Sequence, residues 1–141
     1  MITDLVEGSI ASVAYLGVGI VLLALGYAVV DLLTPGKLGD LIWRQRNANA
    51  SIVLGSGLVS IAIVIVTAIL TSEDQLGAGL LSTAVYGLLG IVMLAVTFAV
   101  VDVATPGKLG DTLVEERPHP AAWVTAVLHL AVGVIVAASI S

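Results

Sequence analysis

Length, composition and charge place this chain of 141 residues among membrane proteins. Apolar residues make up 59% of the chain and charged residues 11%, whereas a soluble domain carries about 25% charged residues. The formal net charge of −5 argues against a nucleic-acid partner. The chain has no cysteine, which excludes disulfides, thiolate metal sites and a cysteine nucleophile. Its length allows no more than one domain.

Four segments without Asp, Glu, Lys or Arg are each long enough to cross a bilayer. They cover residues 8–30, 47–72, 75–101 and 118–141. A helix needs about 20 apolar residues to cross about 30 Å of hydrocarbon, where every backbone polar group must find its partner within the segment. The pattern predicts an all-α integral membrane protein with four transmembrane helices. The predicted helices cover about residues 9–33, 51–71, 78–104 and 121–140.

Charged residues predict the orientation of these helices. All basic residues lie in the first and third connections, namely Lys37, Arg44, Arg46, Lys108 and Arg117. The N-terminal segment and the second connection carry only acidic residues, namely Asp4, Glu7, Glu73 and Asp74. The positive-inside rule places residues 34–50 and 105–120 in the cytoplasm and both termini outside. Because signal peptides begin with basic residues, the acidic start indicates that the first helix is retained.

The chain contains one two-helix unit twice, at an offset of 71 residues. Residues 31–40 read Asp-Leu-Leu-Thr-Pro-Gly-Lys-Leu-Gly-Asp, and residues 102–111 read Asp-Val-Ala-Thr-Pro-Gly-Lys-Leu-Gly-Asp. Each unit crosses the membrane twice, so both units run in the same direction and are expected to be related by an axis along the membrane normal. We expect a helical bundle with pseudo-twofold symmetry, built from units 1–71 and 72–141.

The duplicated motif at the end of the first helix of each unit resembles the YjfL-like family of bacterial inner-membrane proteins (domain of unknown function 350). The resemblance covers essentially the whole chain. It implies four transmembrane helices in a bacterial plasma membrane, and it implies no activity. The units differ where Pro118-His119-Pro120 replaces Asn47-Ala48-Asn49. We therefore expect the connections that enter the second and fourth helices to differ in detail.

Paired carboxylates, Asp31 and Asp102, are the first candidate functional residues, together with Lys37 and Lys108. Small or aromatic residues precede each Asp on one helix face, namely Ala24, Tyr27 and Ala28, and Ala95, Phe98 and Ala99. Small residues let helices approach closely, so we expect these faces to pack against protein. The carboxylates either form a proton or cation site shared by the units, or they are structural. A structural carboxylate would accept a hydrogen bond from the turn at Gly36 or Gly107, or pair with the neighbouring lysine.

The duplicated turn is the second candidate. It comprises Thr34, Pro35, Gly36 and Gly39, and their copies Thr105, Pro106, Gly107 and Gly110. Thr before Pro fits the N-cap and first position of a helix, so we expect a short interfacial helix that runs through Trp43. The glycine-flanked lysine either binds a lipid phosphate together with backbone N–H groups, or it belongs to a plain turn anchored at the membrane surface. A Walker loop is excluded by the spacing.

Two histidines complete the candidates. His129 lies within the fourth predicted helix, where it either forms one hydrogen bond to a neighbouring helix or faces lipid, in preference to a ligand role. His119 lies between two prolines and is expected to be solvated. Histidines so far apart predict no metal site, and neither a catalytic motif nor a dinucleotide fingerprint occurs. We therefore expect no enzyme and no cofactor.

Two functions from different classes fit this sequence. The first is a non-enzymatic membrane scaffold or accessory subunit that self-associates through its small-residue faces, with membrane lipids around it and a protein partner at its cytoplasmic face. The alternative is a proton- or cation-conducting channel or transporter that uses Asp31 and Asp102. Polar residues are scarce along the predicted helices, whereas a conducting path needs polar lining through the whole membrane. This scarcity favours the scaffold.

Overall fold

The computed structural model describes residues 1–72 and 75–141, and this part of the chain is helical with short connections. The helices are α1 (Ile2–Leu33), α2 (Ala48–Leu70), α3 (Leu76–Ala104), the short α4 (Leu109–Val114) and α5 (Pro120–Ile140). A π-helical turn, Asp40–Arg44, precedes α2. Glu73 and Asp74, which the sequence predicts in an acidic connection, lie outside the described residues.

Four of the helices, α1, α2, α3 and α5, are long and apolar enough to cross a membrane. The four predicted helices are therefore confirmed, although α1 begins at Ile2, seven residues before its predicted start. Charge marks where a helix leaves the hydrocarbon, but it does not end the helix. Asp4 lies in the first turn of α1, where it pairs with the terminal ammonium group at 2.6 Å and complements the helix dipole.

The two central helices of the bundle are α2 and α3. They pack against each other, and each also packs against both α1 and α5. By contrast, α1 and α5 lie on opposite sides of the α2–α3 pair and are not packed together over their described residues. As a result α2 is the most buried helix and α1 the least buried.

This packing does not show the expected pseudo-twofold axis. Such an axis would exchange α1 with α3 and α2 with α5, and it would make an α1–α5 contact equivalent to the α2–α3 contact. In the described residues α2 and α3 are in extensive contact, whereas α1 and α5 are not. The hairpins α1–α2 and α3–α5 instead lie side by side, so that α1 packs against α3 and α2 packs against α5.

Glycines at the helix crossings allow this close packing, because small residues let helix backbones approach each other in a membrane. A Cβ atom at Gly87 of α3 would overlap the side chain of Leu22 in α1. On α5, a Cβ atom at Gly133 would overlap Ser60 of α2, whose Cα and carbonyl oxygen lie 3.0 Å from that position. The resulting core is apolar along most of its length, and its largest cluster includes Leu22, Ile61 and Leu94.

Candidate functional site

Both copies of the Thr-Pro-Gly-Lys-Leu-Gly-Asp motif lie at one end of the bundle. We call this the basic end, because its connections, residues 34–47 and 105–119, carry every Lys and Arg of the chain. The carboxylate Oδ1 of Asp31 accepts the backbone N–H of Leu38 at 2.6 Å. Oδ1 of Asp102 accepts the N–H of Leu109 at 2.7 Å. Each Asp thus joins the end of a long helix to the start of the short helical segment that follows the turn.

The hydrogen bonds of these carboxylates are of the kind that the structural interpretation predicts, with two differences in their partners. The donors are Leu38 and Leu109, whose side chains are fully buried, instead of the turn glycines. Lys37 and Lys108 are exposed, and within the described residues neither forms an ion pair with an Asp. Since the carboxylates take the N–H groups of both leucines, these two N–H groups are not available to bind a lipid phosphate.

Thr34 and Thr105 end helices, whereas the sequence predicts that they begin them. Each threonine is the C-cap of its long helix, with an extended backbone. The hydroxyl of Thr34 donates to the carbonyl oxygen of Val30 at 2.8 Å, and that of Thr105 donates to Val101 at 2.7 Å. Steric conflict with the following proline disfavours a helical backbone at the preceding residue, and this effect outweighs the N-cap preference of threonine.

The glycines after the prolines allow the chain to reverse. Gly36 has a φ of 89° and Gly107 a φ of 88°, both in the left-handed region that side chains with a Cβ disfavour. A short helical segment then follows each turn, as expected. In the first unit it is the π-helical turn that contains the exposed Trp43, and in the second unit it is α4.

The helix faces that precede the carboxylates differ from the prediction that both pack against protein. Ala24 and Ala28 of α1 are exposed, and Tyr27 is 37% exposed. On α3, Phe98 is buried as expected, but Ala99 is exposed. On α1 the expected packing is not found within the described chain, because this helix lies at the edge of the bundle.

The two turns contact each other but have different surroundings. The ring of Pro35 lies over Gly110, where a Cβ atom would come within 2.6 Å of the proline Cδ. This contact borders a groove of about 300 Å³ that also exposes Asp102 and Lys108. In the other copy of the motif, the position equivalent to Gly110 is Gly39, which faces the hydroxyl of Tyr27.

A buried asparagine, which the sequence analysis missed, ties the first turn of α2 to the second of these connections. The side-chain amide of Asn49 donates to the carbonyl oxygen of Arg117 at 2.9 Å, with longer contacts to Glu115 and Thr112. Its Oδ1 accepts the backbone N–H of His119 at 2.9 Å. We call this set of hydrogen bonds the asparagine clamp. The replacement of Asn-Ala-Asn by Pro-His-Pro in the second unit is the sequence feature that could have indicated it.

The segment that differs between the two units also supplies the caps of the helices that follow. Asn47 caps α2, because its Oδ1 accepts the N–H of Ala50 at 3.0 Å, and it donates to the carbonyl oxygen of Glu115 at 3.1 Å. His119 caps α5 through its ring Nδ1, which accepts the N–H of Ala121 at 3.1 Å. The expected difference between the two connections is observed. His119 is half-buried and hydrogen-bonded, which corrects the expectation that it is solvated.

His129 lies inside the bundle, between α5 and α2. It is fully buried, and its Nδ1 lies 3.1 Å from the hydroxyl of Ser56. The backbone carbonyl of His129 accepts the hydroxyl of Ser60 at 2.7 Å, while its ring Nε2 has no partner among the described residues. The expected hydrogen bond to a neighbouring helix is therefore present, and His129 does not face lipid. No cluster of metal-ligating side chains occurs in residues 1–72 and 75–141.

This chain is similar to known proteins over nearly its whole length. The sequence model of the Domain of Unknown Function (DUF350) matches residues 4–140. A UPF0719 transmembrane protein of Mycolicibacterium paratuberculosis is 39% identical over 140 residues, which cover 99% of this chain and 93% of the relative. UPF0719 transmembrane proteins of Mycobacterium bovis and Mycobacterium tuberculosis are each 37% identical over 99% of this chain and 92% of theirs. No solved structure matches the chain.

These matches confirm the resemblance that the duplicated motif indicates. The match to the family covers both copies of the motif, both long hairpins and the asparagine clamp between them. The relatives are named as transmembrane proteins, which agrees with four helices of membrane-spanning length and apolar composition. The chain is an integral membrane protein and belongs to the family DUF350.

Proposed function

We propose that this protein is a non-enzymatic scaffold or accessory subunit of a bacterial plasma membrane that self-associates through its helices. In this proposal both termini lie outside, and the basic end faces the cytoplasm, where it binds a protein partner. The observation that carries the proposal is the hydrogen bond from each motif carboxylate to the N–H at the far side of its turn. In this proposal the two carboxylates serve to stabilise the fold.

The interior of the bundle supports the same function. Between the two ends, the described core is filled by side chains such as Leu22, Ile61, Val64 and Leu94. The polar groups at this depth are mostly hydroxyls that donate within their own helix or to a neighbouring backbone, as Ser60 does. A conducting path needs polar lining across the whole membrane. A scaffold needs only a stable bundle and an outer surface.

Self-association is supported by the exposure of α1. This helix is the least buried of the four long helices, and small residues such as Ala24 and Ala28 lie on its exposed side. Between helices in lipid there is no hydrophobic driving force, so close packing of small residues is the main source of affinity. A second copy can supply the neighbour that this surface lacks.

The second candidate function is a proton- or cation-conducting channel or transporter that uses Asp31 and Asp102. The position of the carboxylates in the structure favours it. Asp102 borders the groove of about 300 Å³ at the basic end, and both carboxylates are half-buried. Half-buried acidic groups at one level of a membrane bundle are suited to exchange protons or cations with the solvent.

Asn substitution of the two carboxylates distinguishes the functions. If the carboxylates are structural, Asp31→Asn and Asp102→Asn should each lower stability by about 1–3 kcal/mol, the range for disturbing a buried hydrogen bond with a charged group. The double variant should be less stable than either. Asp40→Asn and Asp111→Asn are matched controls from the last position of the same motif, where both side chains are exposed.

Thermal unfolding in detergent and proton flux in liposomes should be measured on the same variants. The scaffold predicts lower melting temperatures for the single variants, no change for the controls, and no flux driven by a pH gradient in the unsubstituted protein. Flux that disappears in a double variant of unchanged melting temperature would refute the scaffold and establish the channel or transporter.

The proposed orientation has its own test, for which a chain without native cysteine is convenient. A cysteine introduced by Ser72→Cys or Ser141→Cys should react with an impermeant maleimide on intact cells. A cysteine introduced by Gln45→Cys, at the basic end, should react only after the cells are opened. Labelling of Gln45→Cys on intact cells would reverse the orientation.

A further inference from the structure

We infer that copies of this chain associate head to tail, with α5 of one copy in the groove between α1 and α2 of the next copy. This inference rests on the proposed self-association and specifies its geometry. The groove has a volume of about 350 Å³ and an almost wholly apolar lining. Gly19 and Leu23 of α1 and Ala62 of α2 line its middle part.

The 71-residue offset relates this groove to a surface that is already covered within the chain. Gly19 and Leu23 correspond to Gly90 and Leu94 of α3, and both of these residues are buried. Val64 of α2 covers Gly90, with side-chain carbons 3.3 to 3.4 Å from the position of a Cβ atom. The hairpin α3–α5 thus has an equivalent groove, and α2 fills it.

The same relation holds at the closest crossing of α2 and α5. Ala62, in the open groove, corresponds to Gly133 of α5. Gly133 is buried directly against Ser60 of α2. The open groove of the first hairpin is therefore the counterpart of the filled groove of the second hairpin.

The residues that fill the second groove have unpaired counterparts on α5. Adding 71 to Ser60 and Val64 gives Ala131 and Ile135, which face outward. Ile135 is 66% exposed, whereas Val64 is 1% exposed. The groove between α1 and α2 is thus empty within the chain, and the outer face of α5 corresponds to the face of α2 that fills the other groove. The missing partner of both surfaces is a second copy.

Side-chain sizes at the transferred contacts suit a membrane interface. Val64 over Gly90 becomes Ile135 over Gly19, which again places a large side chain on a glycine. Ser60 against Gly133 becomes Ala131 against Ala62, a contact between two small residues of the kind that brings helices together in lipid. The polar contact of Ser56 with His129 becomes an apolar contact of Val127 with Leu58, so no buried hydroxyl has to find a new partner.

One contact sets the spacing of the proposed interface. Leu94 lies over Gly57 inside the chain, at 3.3 Å from the position of a Cβ atom. The transferred pair is Leu23 with Leu128, so the helices of two copies have to stand further apart at this level than α2 and α3 do. The interface between copies should accordingly be weaker than the interface between the hairpins of one chain.

Different surfaces of the two copies meet in this arrangement, so it does not close as a simple twofold dimer. A contact of this kind produces a ring if the rotation between copies closes, and an open filament if it does not. The hairpins of one chain already lie side by side with α1 against α3 and α2 against α5. In the proposed association, the second hairpin of one copy packs in the same way against the first hairpin of the next copy.

Disulfide cross-linking tests the geometry in native membranes. Ala62→Cys and Ala131→Cys should be combined in one chain and oxidised with copper phenanthroline. Within a chain the two positions lie on opposite outer sides of the packed α2–α5 pair, so a bond between them must join two copies. We expect the monomer band to shift to a ladder of covalent dimers, trimers and larger species. Each single variant should stay monomeric, and a mixture of the two should give dimers only.

Two controls make the result specific. Val21→Cys combined with Ala131→Cys should give no ladder, because Val21 is an exposed α1 residue that lines the other groove, toward α3. Ala131→Trp should shift the mass in lipid nanodiscs from oligomer to monomer, whereas Val21→Trp should leave the oligomer intact. Both tryptophans replace exposed residues, so neither should prevent folding.

Three outcomes would overturn the inference. Cross-linking of a single variant would show that like surfaces meet in a twofold interface. Oligomers that survive Ala131→Trp and give no ladder would show that the copies associate through another surface, and the proposed self-association would stand. A monomeric mass of the unsubstituted protein in nanodiscs would instead refute the self-association on which the inference rests.

Discussion

Replacing Asn49 by alanine should remove the asparagine clamp, which holds the first turn of α2 to residues 112–119. The hydrogen bond of Asn47 to Glu115 would still join the two connections. The side chain of Asn49 is 1% exposed and lies between the first connection and residues 112–119. Its removal leaves the N–H of His119 and the carbonyl oxygen of Arg117 without their partners at 2.9 Å. The two connections would then lose the asparagine clamp, while the caps of α2 and α5 remain.

The expected cost follows from these two groups. A buried donor or acceptor that loses its partner costs about 1–3 kcal/mol. His119 is half-buried and Arg117 exposed, so water can reach part of the site. We therefore expect Asn49→Ala to lower the free energy of unfolding by about 2–4 kcal/mol. By the scaling known for soluble domains, this corresponds to a fall in melting temperature of about 5–15 °C.

Two further variants separate the hydrogen bonds from simple loss of packing. Asn49→Asp keeps the acceptor for His119, but it places a carboxylate against the carbonyl oxygens that the amide now contacts, so it should destabilise at least as much as Asn49→Ala. Ser51→Ala is the matched control, because the exposed Ser51 hydroxyl only donates to the carbonyl of Asn47 within the same helix turn. Thermal unfolding in detergent measures all three. A melting temperature of Asn49→Ala equal to that of Ser51→Ala would refute the clamp.

Six other substitutions give further expectations for the same assay. Gly36→Ala and Gly107→Ala should each lower the free energy of unfolding by about 1–2 kcal/mol, because both positions have a left-handed backbone. A variant as stable as the unsubstituted protein would refute the left-handed conformation at that turn. Gly133→Val should prevent the close approach of α5 to α2 and unfold the bundle at far lower temperature, whereas Gly17→Val, which meets no atom within 4 Å, should be nearly neutral. His129→Leu should change the free energy of unfolding by less than about 1 kcal/mol, because the loss of the hydrogen bond between Nδ1 and Ser56 is offset by removal of the buried Nε2, which has no partner among the described residues. His129→Ala should lower the free energy of unfolding by about 2–5 kcal/mol through the cavity it leaves. A large loss of stability in the leucine variant would show that the hydrogen bonding of the imidazole outweighs the burial of its unpaired nitrogen.

Local chemistry made most of the fold predictable. A charge-free segment of sufficient length is constrained to form a transmembrane helix, since only helices and closed barrels satisfy the backbone in lipid. The turn could be predicted equally well, because proline restricts the backbone of the residue before it and the glycine that follows permits a left-handed backbone. What these rules left open at Thr34 was the direction of the cap. The proline constraint ended α1 at this residue, where the capping preference alone predicts a beginning.

Contacts between distant residues were beyond these rules. The small residues Ala24 and Ala28 indicate a packing face, but they do not say whether the partner belongs to the same chain, and α1 lies at the edge of the described bundle. The bond of Asn49 to the carbonyl of Arg117 has no local pattern, because any backbone carbonyl can accept it. A hydrogen bond from the turn to Asp31 was one of the alternatives that the sequence left open, but the sequence did not indicate that the donor is the N–H of Leu38.

The asparagine clamp also gives the chain an order of assembly during synthesis. Domains and hairpins emerge from the ribosome N-terminal part first, so Asn49 is made long before the backbone groups of residues 112–119 that it binds. Until they appear, its amide can be hydrated at the end of the first hairpin. The clamp can therefore close only after α3 has been made. In a chain with its two units exchanged, Asn49 would instead be made after the segment that it binds.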